Sequence, residues 1–235
     1  MKNTFSDPLG RYHEMINCGE LKEDAIQARI VDKFQNLHQQ LEITDQTSNK
    51  SFLKKLFASE KQNIAPRGLY IYGGVGRGKS MLMDLFFDLA PIKQKRRVHF
   101  HAFMLEIHKE MHEWRYMDEE ERLDKFETSD NDPIPPLASQ IYKNSKLLCF
   151  DEFQVTDVTD AMILGRLFGA LFDLGVTLVL TSNRIPDDLY KDGLNRALFL
   201  PTIELIKRTL DVEALDGPTD YRLERMRGME VYHYP

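Results

Sequence analysis

The spacing of apolar residues divides the chain into a helical opening and a longer part in which strands and helices alternate. From Asp7 to about Phe57 the repeat is helical: Leu21, Ala25, Ala28, Val31 and Phe34, then Leu37 and Leu41, form an apolar stripe at three- and four-residue steps. Thr44 to Lys50 reads as a turn, and Phe52, Leu53, Leu56 and Phe57 as a second short amphipathic helix. The pattern then switches. Leu69 to Tyr72 is a β-prone run of the kind buried in a parallel sheet, and a helix is expected from Ser80 to Leu89. Val98 to Phe103 alternates as a second strand, which puts His99 and His101 on one face. His108 to Phe126 is highly charged around Trp114 and reads as a solvated helix whose aromatic could suit a partner surface. Prolines 133, 135 and 136 argue for a loop from Asp130 to Pro136, with a short helix from Leu137 to Tyr142.

Three further segments complete the alternation. Leu147 to Phe150 is a continuous apolar run ending in Asp151 and Glu152. Asp157 to Phe172 is an amphipathic helix, after which Val176 to Leu180 gives a buried strand ending in Thr181, Ser182 and Asn183. Phe199 to Thr209 reads as a helix and Leu210 to Leu215 as the last strand. This predicts an α/β fold, a parallel sheet of five strands with helices on both faces. The expected strand order is 5-1-4-3-2, preceded by an N-terminal helical segment, residues 1–58, packed on a core of residues 59–235.

The turn after the first strand carries the chemistry. Gly73 through Gly78, Lys79 and Ser80 fit G-x-x-x-x-G-K-S, a phosphate-binding loop between a strand and a helix. Backbone N–H groups of Gly73, Gly74, Val75, Gly76, Arg77, Gly78, Lys79, Ser80 and Met81 can cradle phosphates at a helix N-terminus. Lys79 can reach the β and γ phosphates and Ser80 a Mg²⁺ ion. Asp151, delivered by a buried strand to the same sheet edge, is placed for the Mg²⁺ shell, and Glu152 to polarise an attacking water. Asn183, the third polar strand end, would lie near the γ-phosphate. Asp24 and Gln27 are candidates for the base side, although surface positions on a helix are the expectation for such residues.

Composition narrows the classes. At 235 residues and 42% hydrophobic content the chain can bury a full core and should be soluble. A formal charge of −6 gives no general attraction to nucleic acid, which is disfavoured as a partner, although Lys93 to Arg97 and Arg222 to Arg227 are local basic runs. Cys18 and Cys149 lack metal-ligand spacing and suit a reducing compartment. No signal-peptide or transit-peptide pattern opens the chain, and no apolar stretch approaches the roughly 20 residues of a membrane span. His108 and His112 stand one turn apart, but Lys109 occupies the glutamate position of a zinc-protease motif, so structural or partner-contact histidines are expected.

The runs YGGVGRGKS, VHFHAFM, LLCFDEFQVTDVTDA and LVLTSNRIPDDLY followed by GLNRALFLPTI resemble the ZapE/AFG1-type AAA+ ATPases from about Tyr12 to Tyr221. The resemblance implies a P-loop ATPase using ATP and Mg²⁺, with Asp151 and Glu152 as Walker B and Asn183 as sensor 1. It makes Arg196 the arginine that completes a neighbouring subunit's site in a homo-oligomeric ring, with Arg208 as competitor. It also implies a protein partner, the division GTPase FtsZ in bacteria, and a cytoplasmic location at the division site. The mitochondrial branch implies protein quality control at the inner membrane, with peripheral membrane association. AAA+ cores are usually followed by a helical lid, and the chain reaches Pro235 without one, so the lid is expected to be missing. A single-strand nucleic-acid loader and a small-molecule kinase share the P-loop; Glu152 and Asn183 argue against the kinase.

Overall fold

In the computed structural model the described residues are 6–50, 65–128 and 130–216. Strands Gly68–Tyr72 (β1), Lys95–His99 (β2), Leu147–Asp151 (β3), Thr177–Ser182 (β4) and Leu210–Ala214 (β5) form one sheet. All neighbours are parallel and the order is β2-β3-β4-β1-β5, the arrangement expected from the strand ends. Because side chains alternate along a strand, each central strand feeds two cores. Leu69, Ile71, Leu147, Cys149 and Val179 point to one, and Tyr70, Leu148, Phe150, Leu178 and Leu180 to the other.

The first core is closed by helices Pro8–Asn17 (α1), Ala25–Lys50 (α2) and Lys79–Leu89 (α3). Phe34 of α2 stacks on Phe86 of α3 with centroids 4.5 Å apart, which fixes the N-terminal helices against the helix that follows the glycine loop. The opening is therefore two helices broken near Cys18 to Asp24, where a single stripe starting at Leu21 had been expected. Asp7 caps α1 through Gly10 N (3.0 Å), and Asp24 caps α2 through Ile26 N (2.8 Å) and Gln27 N (2.9 Å). Thr44 to Lys50, expected as a turn, continues α2; the Thr44 hydroxyl bonds back to the Gln40 carbonyl and leaves the helix intact. The helix expected at Phe52 to Phe57 and the basic run Arg222 to Arg227 lie outside the described residues.

The second core is closed by Phe100–Tyr116 (α4), Ile134–Asn144 (α6), Val158–Leu174 (α7) and Leu200–Thr209 (α8), while Glu119–Phe126 (α5) contributes no buried residue to it. Here the sequence misled in four places. The strand expected to run to Phe103 stops at His99, because Phe100, Phe103, Met104, Ile107 and Trp114 are all buried at helical spacing. Trp114, expected among solvated residues, is only 2% exposed: Phe126 of α5 meets it edge-on at 4.9 Å and the Arg122 guanidinium lies 5.3 Å over its ring. The charged segment is two helices, the second opened by a capping box in which Asp118 and Glu121 bond reciprocally to each other's backbone. Finally, α6 begins at Ile134, since prolines in a first turn lack only N–H groups that have no intrahelical partner.

Sheet spacing also fixes Gly68. A Cβ there would lie 1.7 Å from the Leu178 carbonyl oxygen of β4. Gly68→Ala is expected to lower stability by about 2 kcal/mol and the melting temperature by about 4–8 °C, read by thermal melting.

Candidate active site

Three strands deliver their carboxyl ends to one place. The loop after β1, Glu152 after β3, and Thr181 to Asn183 at the end of β4 line a single cavity of about 490 Å³. The glycine loop reaches it in a conformation that the sequence dictates: Gly78 stands at φ 94, a left-handed angle, immediately before α3. No side chain caps α3, so the N–H groups of its first turn present their partial positive charge to the cavity. Lys79 Nζ donates to the carbonyls of Gly73 (2.5 Å) and Gly74 (2.7 Å), which holds the ammonium over its own loop. The loop is tied at its start by Gly73 N donating to Ser182 O at 3.2 Å, and by Leu215 N donating to Tyr72 O at 2.6 Å.

Glu152 has φ 54, uncommon for a residue with a Cβ and worth about 1 kcal/mol or more of strain. The strain is over-determined by its neighbours. Glu152 N donates to Thr181 Oγ1 (3.3 Å), Phe153 N to Thr181 O (2.7 Å), and Ser182 Oγ to Phe153 O (2.7 Å). The chain turns sharply off β3 and leaves the Glu152 carboxylate exposed in the cavity.

Asp151 has a different surrounding. It is 5% exposed and is gripped by Arg97 of β2, whose Nε lies 2.6 Å from Oδ2 and Nη2 3.2 Å from Oδ1. The same guanidinium pairs with Asp84 of α3 and reaches the Ser80 carbonyl at 3.4 Å. Burial opposes the Arg97 charge, but its bonds to Asp151 and Asp84 outweigh that and raise its pKa. Arg97 thus brackets Ser80 and Asp151, the two residues expected to face Mg²⁺. Reading the sequence missed it, although parallel register places Arg97 beside Cys149, two residues before Asp151.

Two more basic residues of the run Lys93 to Arg97 are also engaged. Lys95 donates to the last carbonyls of α3 and Arg96 pairs with Glu106. Arg196 lies apart from the cavity, in a short 3₁₀ turn, with Nη2 on the Asp187 carbonyl at 2.5 Å; Arg208 is exposed on the last turn of α8. Among the histidines, His108 meets Asp160 at 2.5 Å and His112 packs on Tyr116, and among the described residues no group of three His, Cys, Asp or Glu could hold a metal. Asp24, a candidate for the base side, is used as the α2 cap. Gln27, expected at a surface, is 1% exposed against the loop.

This geometry can be set beside known proteins. The chain is 39% identical to the Escherichia coli cell division protein ZapE, over 97% of this chain and 59% of that protein. It is likewise 39% identical to an uncharacterised Schizosaccharomyces pombe protein, over 97% of this chain and 54% of the other. A Danio rerio lactation elevated protein 1 homologue is 47% identical over 72% of this chain and 33% of its own length. The chain therefore spans little more than half the length of the first two. Among solved structures, AMPPCP-bound DnaA from Aquifex aeolicus superposes with a TM-score of 0.51 over 92% of this chain and 56% of that one, at 15% identity, a likeness of fold. The AFG1-like ATPase family matches residues 6–235. A match that includes every residue facing the cavity makes this chain a member of the AFG1-like ATPase family.

Proposed function

We propose that the chain binds ATP with Mg²⁺, hydrolyses the γ-phosphate bond, and couples that cycle to a protein partner. The observation that carries this reading is the shared cavity, where an uncapped helix start, Glu152 and Asn183 face one another. Loop N–H groups and Lys79 would hold the phosphates. Ser80 and Asp151 would hold the metal. They suit it, since both offer hard oxygen donors. When bound, Mg²⁺ neutralises charge developing on the β and γ phosphates. Glu152 would take the proton of the attacking water, which favours hydrolysis over transfer to a small-molecule acceptor, and Asn183 would orient that water or the phosphate.

For the partner, similarity to a cell division protein supports a role in division, and the family resemblance makes FtsZ, met in the cytoplasm at the division site, the partner to test. Among the described residues no helix is long and apolar enough to cross a membrane. Arg196 is assigned to a neighbouring copy's site. The test is ATP hydrolysed per subunit as protein concentration rises, with saturating Mg²⁺ and Lys79→Ala as the blank. A rate that climbs and levels supports sites completed between subunits. A rate equal to the blank at every concentration, with and without FtsZ polymer, overturns the reading.

A further inference from the structure

Gln27, in the first turn of α2, lines the cavity together with Gly19 to Lys22 from the break between α1 and α2 and with the glycine loop. Its Nε2 donates to the Arg77 carbonyl at 3.2 Å. A carbonyl can only accept, so the amide orientation is fixed by chemistry and Oε1 is the atom left over. Oε1 is fully buried, has no hydrogen-bond partner, and belongs to a residue that lines the cavity. A buried acceptor without a partner costs about 1–3 kcal/mol unless something supplies a donor. The position is not accidental packing, because a Cβ at Gly78 would come within 3.0 Å of Nε2: the loop needs glycine there partly to admit this amide.

Oε1 calls for a ligand that donates. A second feature says which part of a nucleotide it meets. Leu21, Val75 and Met81 line the same cavity, and Val75 is 50% exposed on an otherwise polar loop. Such apolar surface is covered by a flat purine ring and poorly by a polyhydroxylated ribose. Adenine presents a donor at its 6-amino group directly beside the N7 acceptor; guanine and hypoxanthine carry an acceptor oxygen at that position, and the exocyclic donor of guanine is its 2-amino group on the opposite edge of the ring. An amide with its oxygen and one N–H uncommitted also matches the donor and acceptor edge of adenine, which Gln and Asn recognise in pairs.

We propose that Gln27 is the specificity-determining residue for the base, accepting from the 6-amino group of adenine through Oε1. This rests on the nucleotide-binding reading of the site. Its location explains how a sensor for the base is coupled to the phosphates: the same amide that reads adenine holds the carbonyl of Arg77, one residue before Gly78.

The test is equilibrium binding of ATP, ITP, purine ribonucleoside triphosphate, 2′-deoxy-ATP and inorganic triphosphate to the wild-type chain, Gln27→Met and Gln27→Leu. Melting curves establish that both variants fold, and the near-isosteric methionine serves if leucine does not. Wild type is expected to prefer ATP over ITP and over the unsubstituted purine by about 10-fold, the worth of one buried hydrogen bond. In the variants ATP should weaken to the level of those two analogues, which themselves change by less than about twofold, and 2′-deoxy-ATP should track ATP. The proposal is overturned if the variants weaken all nucleotides equally, which would make Gln27 a brace for the loop. It is also overturned if the loss in the variants appears for ATP but not for 2′-deoxy-ATP, placing Oε1 on the ribose. If triphosphate and every nucleotide bind wild type alike, base reading fails while phosphate binding stands. If none binds, both fail together.

Discussion

Glu152→Gln is expected to slow ATP turnover by about 100-fold or more at saturating ATP while leaving nucleotide affinity within about twofold of wild type. The substitution keeps side-chain volume and the backbone bonds that hold the residue at φ 54, so the turn clipped to Thr181 and Ser182 should survive. What it removes is the negative charge and the basic oxygen. A neutral amide cannot take a proton from water, and on the proposed reading losing this exposed carboxylate would affect chemistry without touching the phosphate cradle. A single-turnover measurement of phosphate release, run beside nucleotide binding, separates the two effects. A parallel loss of affinity would give Glu152 a binding role, and an unchanged rate would move water activation elsewhere.

How much of this was legible beforehand depends on how local the signal is. The central strands and the glycine loop were plain, since an apolar run buried on both faces and a loop built on Gly73 to Ser80 are each written within about ten residues. The strand order followed from placing three polar strand ends at one edge. Failures came where two periods overlap or where a partner comes from far away. Val98 to Phe103 alternates over six residues, but Phe100, Phe103 and Met104 are equally the first turns of a helix, and only a window extended to Ile107 and Trp114 decides. Trp114 looked solvated because its neighbours are charged; its cover is Phe126 from a helix that folds back. Gln27 is buried by a loop 50 residues away, and nothing in a helical stripe announces that. Arg97 stood in a run that suggested nucleic acid, yet its partners, 13 and 54 residues distant, make it part of the site.

Arg97→Ala is expected to lower stability by about 3 kcal/mol in EDTA, a melting temperature lower by about 6–12 °C, and Mg²⁺ with ATP should recover part of the loss. The physical reason is an imbalance of charge. The Asp151 side chain is 8% exposed and that of Arg97 19%, so neither is screened as a surface pair would be. Removing the guanidinium takes away both of the bonds it makes to Asp151 and its link to Asp84, leaving two carboxylates in its former reach. A cation arriving with nucleotide would supply to Asp151 the countercharge that Arg97 supplied before. Arg97→Lys should fall between, because one ammonium keeps the charge but cannot bridge two carboxylates with a rigid fork. Melting of the three proteins in EDTA, with Mg²⁺ alone, and with Mg²⁺ plus ATP decides the matter. A loss unaffected by metal and nucleotide would mean that Asp151 is a structural anchor for β2 and not a ligand. No loss at all would mean that the clamp contributes nothing to the fold. Partial rescue by Mg²⁺ with ATP, strongest in the alanine variant, would place guanidinium and metal in competition for one carboxylate, so that the charge on β2 tunes how readily the site accepts its ion.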